Sequence, residues 1–449
     1  MGLRRNSLHN ASMTPRLLTV AQAHERILAA IDPLPVEGLA IDDALDRVLA
    51  QDLRCAGDVP PFASAAMDGY AVLAGPAGRT LRVIGESRAG VPSELAIEAN
   101  EAIRISTGAA VPAGADAVIR QEQVEADGDR VTLRVAVAAA DDIRHPGEDF
   151  AADATALTRG TTLGPTELAA AVAAGAGELW CTRRPRVAIL CTGSELRAPG
   201  EPLGPGEIHN ANAITLGALA RRCGALATPA ERLADDRQAI EAALDAALQR
   251  ADVVVVSGGV SMGPHDHVKP ALAALGVRES FWGIAIQPGK PTWFGTFEAP
   301  RPPGDPRDVG RQAGMFAARR TPKGGEAAPN SQGRRRRPVF GLPGNPVAAF
   351  VTFMLFVRPA LLALQGSIPN RTAEEVAELG TPVKRSPGRA QAIRVRVERG
   401  HGRTIAIPNG PQGSNLISSL LGADALVMIP PGEGDLEAGS RLTLIELPR

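Results

Sequence analysis

Three glycine-rich loops carry most of the chemistry legible in this chain. They are Leu190-Cys191-Thr192-Gly193-Ser194-Glu195-Leu196, the run from Val256 through Ser257-Gly258-Gly259-Val260-Ser261-Met262-Gly263 to His265-Asp266, and Phe340-Gly341-Leu342-Pro343-Gly344-Asn345-Pro346. Each follows an apolar run that reads as a strand, and the third opens a helix. Ligands of open α/β sheets bind outside the carboxyl ends of the strands. Glycine lets backbone N–H groups approach an oxyanion, and a helix N-terminus adds a favourable dipole. One such loop is equally well an ordinary βα turn, but three on one sheet edge describe a crevice for phosphate or another anion. Gln287-Pro288-Gly289-Lys290-Pro291 sets a cation between two prolines. That arrangement either presents Lys290 to an anion in few conformations or is a rigid solvent turn. Glu195 and Asp266, inside the glycine-rich loops, are the carboxylates a Mg²⁺ ion would use beside a phosphate. The histidines of His265-Asp266-His267 have no further histidine nearby in sequence and read as solvent-facing. Earlier, Pro60 to Ala71 crowds Pro, Ser, Asp and Gly around the chain's only tyrosine, Tyr70. It is either a loop with specific chemistry or a linker.

The elements that must position these loops follow from periodicity. Apolar spacing predicts helices over 20–28 and 41–49, then short strands over 81–84, 102–105 and 131–135 among glycines and prolines. An Ala-rich helix covers 166–176. From Pro185 onward strands alternate with helices: a strand at 186–191, helices at 213–223 and 235–249, a strand at 252–256 with four consecutive valines after Asp252, and a strand at 339–341. This is a βαβ signature and implies a doubly wound sheet. The apolar stretch Val347–Val357, broken by Arg358-Pro359, is too short for a membrane span and reads as a buried helix. Runs at 391–397, 425–429 and 441–445 predict a C-terminal β-barrel or sandwich. The expected class is therefore multi-domain α/β plus β. In the four-domain division that the family resemblance given below implies, its parts are an elongated helical linking domain (14–58 with 150–180), a small β domain (59–149), a doubly wound α/β domain (181–366) and a C-terminal β-barrel domain (367–449). Residues 300–337, which end in Arg334-Arg335-Arg336-Arg337, have almost no apolar periodicity and read as a disordered insertion between two binding loops.

Composition bounds the rest. At ~150 residues per domain, 449 residues make about three domains. With 48 Lys+Arg against 49 Asp+Glu, a globally basic nucleic-acid binder is disfavoured. Four cysteines without a C-x-x-C pair fit reduced thiols in a cytoplasm. No G-x-x-x-x-G-K-[ST] occurs, because Gly289-Lys290 is followed by Pro291, so the anion site is not a P-loop. Residues 1–12 read either as an extension ahead of Met13 or as a misplaced start, with no apolar run for an export signal.

Seven motifs then stand in a recognisable order: Pro61-Phe62 through Met67-Asp68-Gly69-Tyr70-Ala71, Ser106-Thr107-Gly108-Ala109, Gly147-Glu148-Asp149, Thr192-Gly193-Ser194-Glu195-Leu196, Ser257-Gly258-Gly259-Val260-Ser261-Met262-Gly263 with Asp266, Pro288-Gly289-Lys290-Pro291, and Gly341-Leu342-Pro343-Gly344-Asn345-Pro346. From about Leu17 to the C-terminus, outside the insertion, the chain resembles the MoeA family of molybdopterin molybdenumtransferases, whose eukaryotic relative is the gephyrin E domain. The resemblance implies that adenylylated molybdopterin and molybdate give molybdenum cofactor and AMP, with Mg²⁺, in a cytoplasmic homodimer whose cleft lies between subunits. It implies that the α/β domain binds molybdopterin and that Asp68, Thr107, Asp149, Glu195 and Asp266 line the cleft, Glu195 and Asp266 holding the metal. It assigns substrate binding to Ser194, Asn210, Asn212, Ser257, Gly258, Gly259, Ser261, Lys290, Pro343, Gly344, Asn345, Pro346, Arg389 and Ser414. An adenylyltransferase and molybdoenzyme-maturation proteins are the partners it suggests, with no nucleic acid and no membrane.

Gln287 departs from the pattern, standing where many relatives carry Lys or Arg. Two rivals use part of the same evidence in the residues. A molybdopterin adenylyltransferase shares the α/β loops but lacks the Met-Asp-Gly-Tyr and Gly-Glu-Asp motifs. A non-catalytic dimeric scaffold would not need the acidic set Asp68, Asp149, Glu195 and Asp266.

Overall fold

The computed structural model describes residues 17–260, 266–300, 334–367, 375–400 and 402–448. The chain divides into two compact units, Gly38–Cys181 and a second that joins Met1–Glu37 to Thr182–Arg449.

In the second unit, strands Arg186–Thr192, Val253–Ser257 and Arg334–Leu342 run parallel, with Leu226–Ala227 and Glu231–Leu233 flanking the first. Trp293–Pro300 and Arg278–Trp282 extend the sheet antiparallel, so the expected doubly wound sheet carries an antiparallel edge. Alternate residues serve two cores. Val187, Ile189, Cys191, Val253 and Val255 meet helix Ala211–Arg222 and the Pro346–Leu364 helix, whereas Ala188, Leu190, Val254 and Val256 meet helices Arg237–Arg250 and Val268–Ala274. None of these strand residues is more than 4% exposed. A strand covered on both faces has no polar side to display, which is why 253–256 is unbroken valine. Each such valine, leucine or isoleucine contributes ~1.5–3 kcal/mol by leaving water.

The apolar stretch after Asn345 is longer than expected. It stays helical from Pro346 to Leu364, passes through a π-helical turn at Phe353–Val357, and does not break at Arg358-Pro359. Pro359 cannot donate to the Leu355 carbonyl four residues back. His24 Nε2 donates to that carbonyl instead, from helix Val20–Leu28. Among the described residues this is the one helix long and apolar enough to cross a membrane, and 72% of it is buried in the core.

Two further expectations change. Residues 41–49 form a 3₁₀ turn (Ile41–Asp43) and a short strand (Val48–Leu49), not a helix. Asp46 stands between them at φ 60°, a left-handed conformation that ends helical winding. Arg334–Arg337 belong to a strand paired with Trp293–Pro300, not to an insertion; residues 301–333 lie outside the described residues. Arg335 has a partner the sequence does not announce. Asp252, 2% exposed, accepts two 2.9 Å hydrogen bonds from Arg183, a 2.8 Å bond from the Arg186 backbone N–H and a 3.4 Å bond from Arg335.

Strands Val376–Leu379, Ala390–Gly400, Arg403–Pro408, Ala425–Ile429 and Arg441–Glu446 close into the five-stranded barrel expected at the C-terminus. The Gly38–Cys181 unit holds a six-stranded mixed sheet built from strands between Gly69 and Leu133, with helix Pro165–Ala173.

Candidate functional site

The three loops meet at the carboxyl ends of the parallel strands around a cavity of about 370 Å³. Thr192 and Glu195 come from the first loop, Ser257, Gly258, Gly259 and Val260 from the second, and Pro343 to Pro346 from the third; Asn210 and Asn212 enter from the following helix. Cys191, Leu196, Ile208 and Pro291 complete the wall. The paired glycines are sterically required. Gly258 (φ +90°) and Gly259 (φ +65°) are left-handed, and a Cβ there would stand 2.7 Å from the Thr192 carbonyl oxygen and 2.6 Å from Val268 Cγ2 respectively.

One hydrogen-bond network ties the loops together. Asn212 Nδ2 donates to Ser257 Oγ at 2.8 Å and to the Gly344 carbonyl at 2.7 Å, and Ser257 Oγ donates to the Pro343 carbonyl at 3.2 Å. Both amide hydrogens of Asn212 are thus engaged, so it holds the loops and keeps only its Oδ1 for a ligand. Asn210, 5% exposed, caps its helix by accepting from Ala213 N at 3.0 Å. Burial pushes the neighbouring Cys191 thiol up to about 11, a value that keeps it protonated and unreactive.

Among the described residues lining the cavity, Glu195 alone carries a charge. Several expected contacts sit back from the wall. Ser194 is held in a reciprocal pair with Asp235, whose carboxylate accepts from Ser194 N at 3.0 Å and whose N–H donates to Ser194 Oγ at 3.2 Å. Lys290 is exposed, with only its neighbour Pro291 on the wall. Asp266 is half-buried just before helix Val268–Ala274, and Arg389 is exposed at a turn. Ser261 lies outside the described residues. Ser414 stands one layer behind the cavity, its Oγ 3.2 Å from Asn345 Nδ2 and its carbonyl accepting from Val347 N at 3.1 Å. The helix start therefore offers a ligand few backbone donors: Pro346 has no N–H, and that of Val347 is taken.

No group of three or more His, Cys, Asp or Glu able to hold a metal occurs among the described residues. The donor set fits Mg²⁺ in one way, with Glu195 and substrate phosphate oxygens as ligands, since that ion takes one or two carboxylates plus phosphates and water.

In the Gly38–Cys181 unit, Asp68 and Thr107 come together. The Thr107 backbone N–H (2.6 Å) and hydroxyl (2.9 Å) both donate to Asp68 Oδ1 and hold that carboxyl below its usual range, the backbone bond most strongly. Asp149 lines a separate concavity of about 450 Å³ with Ser64, Arg144 and Glu148. Asp235 and the Asn345–Ser414 contact were not foreseen; the first shows in the sequence only as an acid pair ahead of a helix, the second not at all.

Three family profiles cover this architecture in order: MoeA N-terminal region (domain I and II) at residues 18–175, probable molybdopterin binding domain at 188–363, and MoeA C-terminal region (domain IV) at 376–447. A molybdopterin molybdenumtransferase from Haemophilus influenzae is 32% identical over 434 residues, covering 95% of this chain and 98% of the relative. The chain belongs to the MoeA family. It is a transferase of molybdenum cofactor biosynthesis by that membership. Molybdopterin molybdenumtransferase 2 of Mycobacterium tuberculosis is 33% identical over 441 residues, 95% of this chain and 99% of its own length. The solved structure of the molybdopterin biosynthesis MoeA protein from Pyrococcus horikoshii OT3 superposes with a TM-score of 0.75 at 28% identity, covering 96% of this chain and 99% of that one. The MoeA cavity thus lies in the segment matched by the molybdopterin-binding profile, and its second-layer residue Ser414 in the domain IV segment.

Proposed function

We propose that this MoeA chain takes adenylylated molybdopterin and molybdate to molybdenum cofactor and AMP. The observation that carries the proposal is the cavity itself, a crevice of glycine loops, hydroxyls and amide groups with one acid, built where α/β sheets bind phosphates. Thr192 and the backbone of Gly258 and Gly259 supply neutral donors, which suit an oxyanion without collapsing onto Glu195. Glu195 would hold Mg²⁺, which would supply neutralisation of phosphate charge; an oxygen nucleophile attacks the adenylate phosphorus, the bond from that phosphorus to the molybdopterin phosphate oxygen breaks, and the adenylyl group departs with the incoming oxygen, as AMP when that oxygen is water's. Asn212 and Ser257 keep the loops in register, and the apolar wall of Leu196, Ile208 and Val260 limits water. Asp266, Lys290 and Arg389 act from outside the cavity wall; Asp68, kept ionised by Thr107, and Asp149 serve the same reaction as carboxylates. A cytoplasmic homodimer, acting with the adenylyltransferase and with molybdoenzyme-maturation proteins, is the assembly this reading carries.

The test is AMP release from adenylylated molybdopterin with molybdate and Mg²⁺. Release that depends on molybdate and falls at least ~100-fold in Glu195→Gln, about 2.7 kcal/mol of transition-state stabilisation, supports both reaction and site. Release unaffected by Glu195→Gln but lost in Asp266→Asn moves the metal to the second loop. A folded wild-type protein that releases no AMP refutes the assignment.

A further inference from the structure

The longest barrel strand carries an arginine that the pocket chemistry does not use. Arg394 is 0% exposed, and among the described residues its guanidinium meets only neutral oxygens: the Ser419 hydroxyl at 3.1 Å and the carbonyls of Gly413 at 3.2 Å, Ala392 at 3.4 Å and Pro411 at 3.5 Å. Its own backbone is clasped by one side chain, with Gln412 Oε1 accepting from Arg394 N at 2.9 Å and Gln412 Nε2 donating to Arg394 O at 3.2 Å. Burial pushes the guanidinium down to about 10, still charged at neutral pH. Buried cations are ordinarily paired with carboxylates; here a loop is wrapped around the cation instead. Five donors in a fixed fork can gather several carbonyls of one loop, which a lysine ammonium cannot do in the same geometry.

The wrapped loop ends at the pocket. Ser414, the residue after Gly413, accepts from Asn345 Nδ2 through its hydroxyl and from Val347 N through its carbonyl, and Asn345 and Pro346 line the cavity. Helix Pro346–Thr352 otherwise starts without a side-chain cap. We propose that Arg394 is a positioning residue for the ligand pocket: it shapes Pro411–Ser414 so that Ser414 caps the third loop's helix and fixes Asn345. An isosteric apolar side chain would fill the space but leave the Pro411 and Gly413 carbonyls and the Ser419 hydroxyl without their donor.

The inference rests on the pocket being the substrate site, and its test separates the two. Amide exchange without ligand reads the latch alone. In Arg394→Lys, which keeps the charge, the Val347 amide should exchange at least ~10-fold faster, while amides of the barrel strand Ala425–Ile429 keep wild-type protection. Under turnover the same variant should raise KM for adenylylated molybdopterin with kcat nearly held. Combining it with Ser414→Ala should add less than the sum of the two single effects. Unchanged exchange at Val347, acceleration spread evenly over the barrel, or strict additivity would overturn the proposal. Arg394→Met serves as the uncharged companion, and if it fails to fold Arg394→Lys alone decides. Should the wild type release no AMP, the functional reading fails while exchange at Val347 still decides the latch.

Discussion

Replacing Asn212 by alanine should damage ligand binding far more than stability. The side chain makes two hydrogen bonds, at 2.8 Å to Ser257 Oγ and 2.7 Å to the Gly344 carbonyl, and they join segments 45 and 132 residues away. At ~0.5–1.5 kcal/mol net for each bond, their loss frees the second and third loops by about 1–3 kcal/mol. A ligand must reorder those loops before it can bind. At 1.4 kcal/mol per decade its affinity should therefore fall ~5–150-fold. The sheet and both cores stay intact, so the melting temperature should move by only a few degrees. Calorimetric titration of AMP into wild type, Asn212→Ala, Ser257→Ala and the double variant measures this directly. Because Asn212 Nδ2 and Ser257 Oγ bond each other, the double variant should lose less than the summed singles. Asn212→Asp should be worse than alanine, since it sets an acceptor against the Gly344 carbonyl. Additive singles, or an affinity within twofold of wild type in Asn212→Ala, would refute the claim that this network sets the loops.

Three other outcomes follow from buried or hydrogen-bonded titratable groups. Asp252→Asn leaves Arg183 and Arg335 without their carboxylate and should cost ~3–5 kcal/mol, readable by chemical denaturation. Burial alone would raise the Asp252 carboxyl, but bonds from Arg183 and the Arg186 N–H outweigh it and hold it below the usual range. Its stabilisation is therefore present above the unfolded value of ~3.9 and lost as pH falls, and the variant should show a shallower acid limb. Burial lowers His24 in the same sense of destabilisation by acid: the unfolded chain binds the proton more readily, so stability drops as pH passes below ~6.5. His24→Gln, which keeps a donor for the Leu355 carbonyl, should flatten the melting temperature between pH 7.5 and 5.5. In Thr107→Val the Asp68 carboxyl should titrate higher by NMR, because one of two donors to Oδ1 is gone while the backbone bond remains.

What the sequence disclosed was whatever depends on neighbours along the chain. Val253–Val256 announced a strand buried on both faces, and three glycine-rich loops after strands announced the crevice, because local spacing and steric freedom decide both. The 41–49 window fits helical spacing over nine residues, yet Asp46 turns the backbone left-handed, a choice no apolar count registers. Arg358-Pro359 looked like a helix end because the donor replacing the missing N–H sits on His24, over three hundred residues earlier. Arg335 looked like part of a disordered run because its acid, Asp252, lies some eighty residues upstream. The withdrawal of Ser194 toward Asp235 and the seat of Ser414 on the third loop are likewise choices of tertiary partner, invisible to residue type.

The ladder joining Trp293–Pro300 to Arg334–Leu342 has one more consequence. Its rungs run from Trp293 opposite Gly341, beside the pocket, out to Pro300 opposite Arg334. The two strands thus end together at a single rung, at the far end of the zipped ladder from the pocket. The spacing between the Lys290 turn and the third pocket loop follows from that zipper. The last of eight rungs, Pro300 opposite Arg334, stands farthest from the pocket, which makes it the natural port for a reporter that follows the enzyme at work.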